Sequence, residues 1–593
     1  MMRRSYENQA YKNQAGKNQA CKNRSYKNWA YPLAVGCGIA LAAPAAHATT
    51  ACSVGAVEGL EVHGVTVVSA TAVAAAGAVP AYCDVVGQLN TSGGEAPPGS
   101  AGFELQLPAN WNKKFLFYGV GGLAGSTYAD FSANPVDRQG ALAKGYATAI
   151  TDGGHLAGNT DASWALFAPN KPDDAKLSDY YDRATHEVTV SGKQLTERFY
   201  DRQPITQAYF DGCSNGGRQA LVEATQFPAD YNGIIAGDPF FDIRSVIGAA
   251  RIAKQQLSPE TYISATLLPV IDAAINASCA KVDGVDDGLI QNPAACSFDP
   301  ASLICQAGQT EGCLSTGQAD TLNAYFGATR NTMGGLVYPG FSVSNLATSA
   351  TGALAGGGAD VWTTGLVPPT SFTAREPWGN AGFSPAPYGY QFGDHIIQDI
   401  ITQRPKYNIR NYPVSKDGYV DSDTLATFDA RTAAGTATDP DTYGRFIQGG
   451  RKLILYHGYS DPALTPFRTI GLYDQLAANA GGYSALQRSV RLFMVPGMQH
   501  CIGGPGPNVF DTLTPLEAWV EQDLAPASIP AAHYVNDDPT QAVDRTMPLC
   551  PYPTQATYNG TGEVNAAASW SCTPNEQLLQ VGPNGEQAGL TER

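Results

Sequence analysis

The segment that most constrains this chain surrounds Ser214, within the run Phe-Asp-Gly-Cys-Ser-Asn-Gly-Gly that occupies residues 210–217. It contains the pattern Gly-x-Ser-x-Gly, preceded by an apolar run at 208–210 and followed by a helical pattern at 218–225. A serine in this context lies on a sharp turn between a strand and a helix, with its hydroxyl exposed. The segment therefore predicts a strand–turn–helix unit with Ser214 as a candidate nucleophile.

An acid and a histidine follow two later strand patterns. The strand pattern 452–456 leads into a turn that ends at Asp461, and the strand pattern 491–495 leads into a turn that ends at His500. Ser214, Asp461 and His500 therefore occur in the chain order that α/β hydrolases use for a catalytic triad.

The three side chains have complementary chemistry. A serine hydroxyl is a weak nucleophile at neutral pH and needs a base within hydrogen-bond reach. His500 is the candidate base for Ser214, and Asp461 is the candidate group that fixes the tautomer of His500 and stabilises its protonated form.

An oxyanion also needs two aimed N–H donors. The backbone of Asn215, directly after the nucleophile, is one candidate. Ala124 is the other, in the Gly-rich loop 119–125 that follows the strand pattern 115–118. The alternative interpretation of this loop is an ordinary connection between a strand and a helix.

Strand and helix patterns alternate before and after a long irregular segment. This alternation predicts an α/β fold with a mostly parallel sheet covered by helices. Residues 241–448 are rich in Gly, Ala, Thr and Pro and lack this alternation of strands and helices. We therefore assign residues 49–240 and 449–573 to a catalytic core, 241–448 to a lid domain, and the polar residues 574–593 to a disordered tail.

The first 48 residues have the pattern of a targeting segment. A basic five-residue repeat at 6–30 precedes an apolar stretch at 32–45 and the small-residue site Ala46-His47-Ala48. This pattern predicts a secretory signal peptide with a long basic n-region, and hence a periplasmic or secreted protein. A lipid-attachment site at Cys37 is the weaker alternative.

The charge of the chain argues against two classes of partner. The net charge is −16, and removal of residues 1–48 takes away seven basic residues and one acidic residue. The more acidic remainder is a poor ligand for nucleic acid or an anionic membrane. A small neutral substrate remains compatible with it, and the oligomeric state is left open.

Ten cysteines remain after the predicted cleavage, and an even number in an exported chain predicts disulfides. Their spacing favours four local pairs and leaves Cys213 and Cys501 for each other. The alternative for Cys213 is a reactive thiol beside Ser214. The four local pairs are Cys52–Cys83, Cys279–Cys296, Cys305–Cys313 and Cys550–Cys572.

Three of these segments carry a family resemblance. Gly-Cys-Ser-x-Gly-Gly at 212–217, His-Gly-Tyr-Ser-Asp at 457–461 and Val-Pro-Gly-Met-x-His-Cys at 495–501 resemble the tannase and feruloyl esterase family. That family also includes a hydrolase of mono(2-hydroxyethyl) terephthalate. The resemblance covers most of residues 50–575. It implies an α/β hydrolase core with a large inserted lid domain, the triad above, and a Cys213–Cys501 disulfide.

The resemblance also implies a function. We expect an exported serine carboxylesterase that hydrolyses esters of small aromatic acids, of the feruloyl, galloyl or chlorogenate type, through an acyl-enzyme. A hydrolase of terephthalate monoesters is the first alternative, and a non-catalytic binding protein that retains the fold is the second.

Substrate contacts are implied at Ile243, Ala463 and Leu464. The terephthalate branch of the family has an aromatic residue at the position of Leu464 and an acidic residue at that of Asn215, and this chain departs at both. Arg375 is only a candidate for the lid arginine that this branch uses to hold a free carboxylate. Six lid aromatics are candidates for the acyl pocket: Trp362, Trp378, Phe383, Tyr388, Tyr390 and Phe392.

The resemblance further implies a structural calcium site in the lid. Its ligands would be the side chains of Asp283 and Asp287 and the carbonyl groups of Val285 and Leu289. Ala280 stands where the family has a first aspartate, which weakens a site for an ion that takes six to eight oxygens. Asp286 could partly compensate, and the alternative is an Asp/Gly-rich turn without an ion.

Two other histidines follow strand patterns. His457 precedes the turn of Asp461, and His155 follows the strand pattern 146–151. We interpret both as packing or supporting residues rather than as the general base.

Overall fold

A nine-stranded mixed sheet runs through the protein in the computed structural model, which describes residues 50–127, 138–281, 284–348, 350–379, 385–575 and 578. The predicted signal peptide 1–48 and nearly all of the predicted tail 574–593 lie outside these residues. The strands are β1 Val65–Val73, β2 Tyr82–Thr91, β3 Gly99–Pro108, β4 Lys114–Tyr118, β5 Ala147–Thr151, β6 Leu166–Ala168, β7 Lys171–Pro172, β8 Gln207–Cys213, β9 Gly233–Gly237, β10 Thr329–Asn331, β11 Leu336–Tyr338, β12 Tyr419–Val420, β13 Lys452–Gly458, β14 Val490–Val495, β15 Val509–Phe510, β16 Ile529–Tyr534, β17 Val543–Leu549, β18 Thr554–Tyr558 and β19 Trp570–Pro574.

The order of the large sheet is β1-β2-β3-β5-β4-β8-β9-β13-β14. Strands β1, β2, β3 and β5 pair antiparallel, and every pair from β5 through β4, β8, β9 and β13 to β14 is parallel. The carboxyl ends of β8, β13 and β14 therefore lie at the same edge of the sheet, and Ser214, Asp461 and His500 follow these three ends. The predicted α/β hydrolase core is confirmed by this architecture.

Both faces of the parallel strands are buried, as their continuous apolar sequences require. In β4, Phe115 and Phe117 pack into one apolar core, and Leu116 and Tyr118 pack into the core on the opposite face. Helices from the two core segments cover these faces, and the helices between residues 241 and 448 belong to the lid segment. The helices are α1 Val54–Glu58, α2 Arg138–Ala143, α3 Asp174–Ser178, α4 Ala184–Phe199, α5 Asn215–Gln226, α6 Ser245–Gln256, α7 Leu268–Cys279, α8 Thr316–Phe326, α9 Tyr388–His395, α10 Ser422–Thr432, α11 Gly444–Gln448, α12 Pro466–Ala480, α13 Tyr483–Leu486 and α14 Leu513–Gln522.

Short turns of other helix types join these elements. The 3-10 turns are Ser163–Ala165, Ala265–Leu267, Pro293–Ala295, Pro300–Leu303, Ile409–Asn411, Ala433–Gly435, Pro440–Tyr443, Val535–Asp537 and Ala567–Ser569, and the π-helical turns are Asp179–Arg183, Asp360–Thr364 and Ile396–Ile401.

The predicted lid segment, residues 241–448, has a different composition of elements. Its described residues contribute no strand to the large sheet, and β10, β11 and β12 form a small sheet of their own. Apolar side chains of α7 and α8, among them Ile271 and Leu322, pack into a separate core. The segment enters the chain between β9 and β13, and hence between Ser214 and Asp461.

Five disulfides join ten cysteines in the predicted pairs: Cys52–Cys83, Cys213–Cys501, Cys279–Cys296, Cys305–Cys313 and Cys550–Cys572. Cys213 is therefore not a free thiol in this structure. Within the described residues, we find no helix that combines the length and the apolar character needed to cross a membrane.

Candidate active site

Ser214 lies on a tight turn between β8 and α5. Its backbone is in a strained conformation, with φ 61° and ψ −122°, and its N–H donates to the carbonyl of Gly237 at 3.0 Å. A Cβ atom on Gly212 would lie 2.5 Å from backbone atoms of Gly216. Only glycine fits there, which explains the sequence pattern around the serine.

The acid and base meet at the ends of β13 and β14. Nδ1 of His500 lies 2.8 Å from Oδ2 of Asp461. The other oxygen of Asp461 accepts backbone N–H groups from Ala463 at 2.7 Å and from Leu464 at 3.0 Å. Burial opposes ionisation, but the charges and hydrogen bonds of His500 and His457 outweigh it, and the pKa of Asp461 lies below its usual range. Asp461 is thus an ionised carboxylate aimed at His500.

Ser214 and His500 line the same cavity. The ring of Trp362 from the lid lies edge-on to the His500 ring, with centroids 4.8 Å apart. The Cys213–Cys501 disulfide joins the two chain segments that carry the serine and the histidine. The structure therefore brings the three predicted triad residues to one site beneath the lid.

The Gly-rich loop 119–125 borders this cavity, but the prediction for Ala124 needs a correction. The N–H of Ala124 donates to the carbonyl of Gly121 at 3.1 Å, and that of Leu123 donates to Asn159. Gly122 and Leu123 line the cavity. A tight turn within the loop thus uses the donor of Ala124, and Gly122 is the better-placed candidate beside Asn215.

The side chain of Asn215 points into the protein rather than toward a ligand. Its Nδ2 donates to the carbonyl of Val120 at 2.8 Å, and its Oδ1 accepts from Tyr180 and Arg218 at 3.1 and 2.7 Å. The side chain thereby ties the start of α5 to the loop 119–125. Asn215 lines the cavity, and the role of its N–H as an oxyanion donor stays a prediction.

Apolar side chains from the lid and from the Asp461 turn form most of the cavity wall. Ala463 and Leu464, which the resemblance implies as substrate contacts, are among them. Ile243 is not: it is buried in the apolar core near Tyr181 and Gly435. The residues that our sequence reasoning missed are Phe240, Ser245, Val246, Ala249, Gly389, Gly393 and Ile396. For Ser245, Val246, Ala249, Gly389 and Gly393, helical spacing on α6 and α9 was the only available signal.

The lid aromatics divide between two neighbouring cavities. Trp362 and Phe392 line the cavity of Ser214, while Trp378 and Tyr390 line a second cavity that also includes Trp362. Tyr388 stacks obliquely on Trp362, with ring centroids 5.3 Å apart. Phe383 lies outside the described residues.

Arg375 is already occupied by protein groups. Its Nη1 lies 2.7 Å from Oδ2 of the buried Asp394, its Nη2 donates to Gln398 at 2.8 Å, and its Nε donates to the carbonyl of Lys406 at 3.2 Å. It does not line the cavity of Ser214. The guanidinium therefore holds the lid together rather than facing the site.

The predicted calcium site stays a prediction, because Asp283 lies outside the described residues. The described part fits a cation poorly. Oδ2 of Asp287 and its carbonyl oxygen accept from Arg545 at 2.6 and 2.8 Å, and Asp286 pairs with Lys281 at 3.0 Å. The guanidinium of Arg545 is thus paired with the Asp287 carboxylate that would bind the ion. Val285 and Leu289 flank this residue in the same turn.

Comparison with known proteins decides the family. The family model for tannase and feruloyl esterase matches residues 83–573. The chain belongs to the tannase and feruloyl esterase family. Mono(2-hydroxyethyl) terephthalate hydrolase of Piscinibacter sakaiensis is 32% identical over 537 residues, with 85% of this chain and 87% of that protein covered.

Other members of the tannase and feruloyl esterase family resemble the chain in sequence and in fold. Feruloyl esterase B of Aspergillus niger is 30% identical over 493 residues, which cover 79% of this chain and 83% of that protein. The crystal structure of feruloyl esterase B from Aspergillus oryzae shares the fold, with a TM-score of 0.70, 23% identity, and coverage of 86% of this chain and 97% of that chain. The protein is therefore a carboxylic ester hydrolase.

Proposed function

We propose that this esterase hydrolyses esters of small aromatic acids whose ring carries no free carboxylate, such as feruloyl, galloyl or chlorogenate-type esters. The observation that carries this proposal is the composition of the cavity. Among its described lining residues, the only ionisable side chain is that of the candidate base, His500. A free carboxylate on the ring, in addition to the ester, would be buried there without a cationic partner, and burying such an unpaired charge costs free energy.

The proposed mechanism uses the groups around Ser214. Ser214 attacks the ester carbonyl while His500 accepts its proton, and Asp461 stabilises the resulting imidazolium. The N–H groups of Asn215 and Gly122 stabilise the oxyanion. His500 then protonates the leaving alcohol. Water attacks the acyl-enzyme in the same way, and the acid and free serine are released.

Two esters that differ in one group test whether the cavity rejects a free carboxylate. Methyl 4-methylbenzoate and monomethyl terephthalate share the ring and the ester and differ only in the para group, a methyl or a carboxylate. We expect kcat/KM to be at least about 10-fold higher for the methyl compound, since an unpaired buried charge costs more than 1.4 kcal/mol. The Ser214→Ala variant should hydrolyse neither. A preference for the carboxylate would contradict the proposal.

Terephthalate monoesters remain the second candidate, because the relative from Piscinibacter sakaiensis is named for one. Initial rates on methyl ferulate, methyl gallate, chlorogenate and mono(2-hydroxyethyl) terephthalate would rank the two candidates directly. A fluorophosphonate that labels Ser214 in a protein inactive on all four would retain the serine mechanism and redirect the search to other esters.

We also propose that the protein works in the periplasm or outside the cell. Five disulfides support this location, because such bonds persist in oxidising compartments. Cell fractionation of a host that expresses the full chain tests it: recovery of the esterase only from the cytoplasm would contradict it.

A further inference from the structure

His457 lies at the end of β13, fully buried, and its ring faces oxygen atoms from three directions. Nε2 donates to the carbonyl of Leu464 at 3.1 Å. It also lies 3.3 Å from Oδ2 of Asp461 and 3.6 Å from Oδ1 of Asp238. Carbonyl and carboxylate oxygens only accept hydrogen bonds, so Nε2 carries a proton and is not a metal ligand.

The opposite nitrogen, Nδ1, lies 2.8 Å from the hydroxyl of Thr469 on α12. A hydroxyl can donate to a neutral ring or accept from a charged one. Thr469 therefore fixes the ring plane in both protonation states. Two buried carboxylates beside Nε2 favour the charged state of His457.

Asp238 is held firmly in this arrangement. Its backbone has φ 35°, a conformation that is costly for a residue other than glycine and persists only where the surroundings enforce it. Its N–H donates to the carbonyl of Tyr456, and its Oδ1 accepts the N–H of Gly458 at 2.9 Å. Its Oδ2 lies 3.5 Å from the sulfur of Cys213. Asp238 thus links the β9 and β13 ends to the nucleophile segment.

The oxygen of Asp461 that faces His457 is the one that also accepts from His500. We propose that His457 is a positioning residue, a buried cation paired with Asp238 and Asp461, which holds the Asp461 carboxylate toward His500 and offsets part of its negative charge. Since a less negative neighbourhood favours the neutral imidazole, His500 keeps the ability to accept the Ser214 proton at lower pH.

The other groups around this cluster do not supply a competing charge. Burial raises the pKa of the lid residues Tyr325 and Tyr338, which interact with Asp461, so both remain neutral. Arg468 pairs with Asp242 at 2.7 Å and forms a separate neutral unit. Burial raises the pKa of Asp238 to about 7, so its carboxyl group is charged only above that pH. The charges that act on His500 are thus those of Asp461, His457 and, above about pH 7, Asp238.

The test compares His457→Gln with the wild-type protein. Glutamine retains a side-chain N–H donor but cannot carry the charge. We expect kcat to fall by up to about 100-fold with little change in KM, the effect of misplacing a catalytic group. The acid limb of kcat/KM, which reports the base of the free enzyme, should move to higher pH. A purely structural role for His457 would loosen Asp461 and move this limb to lower pH.

Two further variants keep the test decisive. Thr469→Val leaves His457 in place but removes the hydrogen-bond partner of its Nδ1. We expect it to lower kcat and to move the acid limb to higher pH, both by less than His457→Gln does. His186→Gln makes the same substitution in a histidine that bonds Asp230 and stacks on Phe227, away from the triad, and should match the wild-type protein. If His457→Gln fails to fold, the kcat and the acid limb of Thr469→Val decide whether the proposal holds.

The inference rests on the proposed function only for the choice of ester. The rate at which a fluorophosphonate labels Ser214 needs no knowledge of the substrate and should show the same pH shift. If the wild-type protein is labelled but hydrolyses no aromatic ester, the proposed function fails and this inference is still tested. A folded His457→Gln protein with wild-type kcat and a wild-type acid limb would overturn it.

Discussion

Cys213 and Cys501 form a disulfide with Cα atoms 6.1 Å apart, between the residue that precedes Ser214 and the residue that follows His500. The bond spans 288 residues of sequence, which include the whole lid segment. It therefore joins the nucleophile and the base across the largest insertion in the chain.

We expect the double variant Cys213→Ala/Cys501→Ala to lose most of its esterase activity and about 5 kcal/mol of stability, the chain-entropy value for so long a loop. The physical reason is that the turns of Ser214 and His500 lose their covalent link, so the spacing between the nucleophile and the base is no longer fixed. Initial rates and urea unfolding measure the two effects. Cys305→Ala/Cys313→Ala, which opens a bridge of sequence separation 8 in the lid, is the control. Equal activity loss in both variants would argue against a specific role.

Asp461→Asn tests the orientation of the base. Asparagine offers an N–H where His500 needs an acceptor, so we expect kcat to fall by about 10⁴-fold, as in other serine triads. The acid limb of kcat/KM should move to lower pH, because the imidazolium loses its counter-charge. Asp429→Asn, in a partly exposed pair with Arg244, is the control and should retain full activity. A loss of less than about 10-fold would remove Asp461 from the triad.

Glu223 on α5 should make stability depend on pH. Burial, and the neighbouring carboxylate of Asp230, raise its pKa well above the usual value. The folded protein thus keeps a proton that the unfolded chain releases near pH 4.3, and stability falls as pH rises from that value through the folded pKa. We expect Glu223→Gln, which has no proton to release, to be more stable than wild type at pH 8 by about 1 to 3 kcal/mol.

Thermal unfolding between pH 5 and 9 measures this difference. The exposed Glu58→Gln substitution is the control and should follow the wild-type curve. Parallel curves for Glu223→Gln and wild type would show that Glu223 does not titrate across this range.

Arg545 tests the predicted calcium site. Its guanidinium pairs with the buried Asp287, so Arg545→Met should cost about 3 to 5 kcal/mol by leaving that charge uncompensated. Calcium should restore part of this loss, because it binds the folded variant more tightly than the unfolded chain. Thermal unfolding with EDTA and with millimolar calcium provides the measurement, with the exposed Arg431→Met as control. An equal response of Arg545→Met and wild type would place any bound ion elsewhere.

Much of the core could be predicted because its signals are local. The strand patterns at 115–118, 452–456 and 491–495 lie within β4, β13 and β14, and the pattern at 146–151 contains β5. The helical pattern at 218–225 lies within α5, which begins three residues earlier, at Asn215. Local patterns report burial and turn chemistry, so they locate elements better than their ends.

The lining of the site was harder to predict, because it depends on contacts between distant segments. Ile243 was expected at the substrate and packs in the core, while Phe240, three residues earlier, faces Ser214. Periodicity identifies apolar positions but does not show whether each one meets another side chain or an open cavity.

The sequence by itself determined the turn at Ser214, since only glycine fits at Gly212, and it determined the chain order of nucleophile, acid and base. The tertiary structure decided which residues of the loop 119–125 border the cavity, and that Arg375 is bound by Asp394. It also decided that Asp238, 220 residues before Gly458, shares a cluster with His457. The physical reason is range: backbone sterics act within a few residues, whereas hydrogen bonds and ion pairs form between whichever groups the fold brings together.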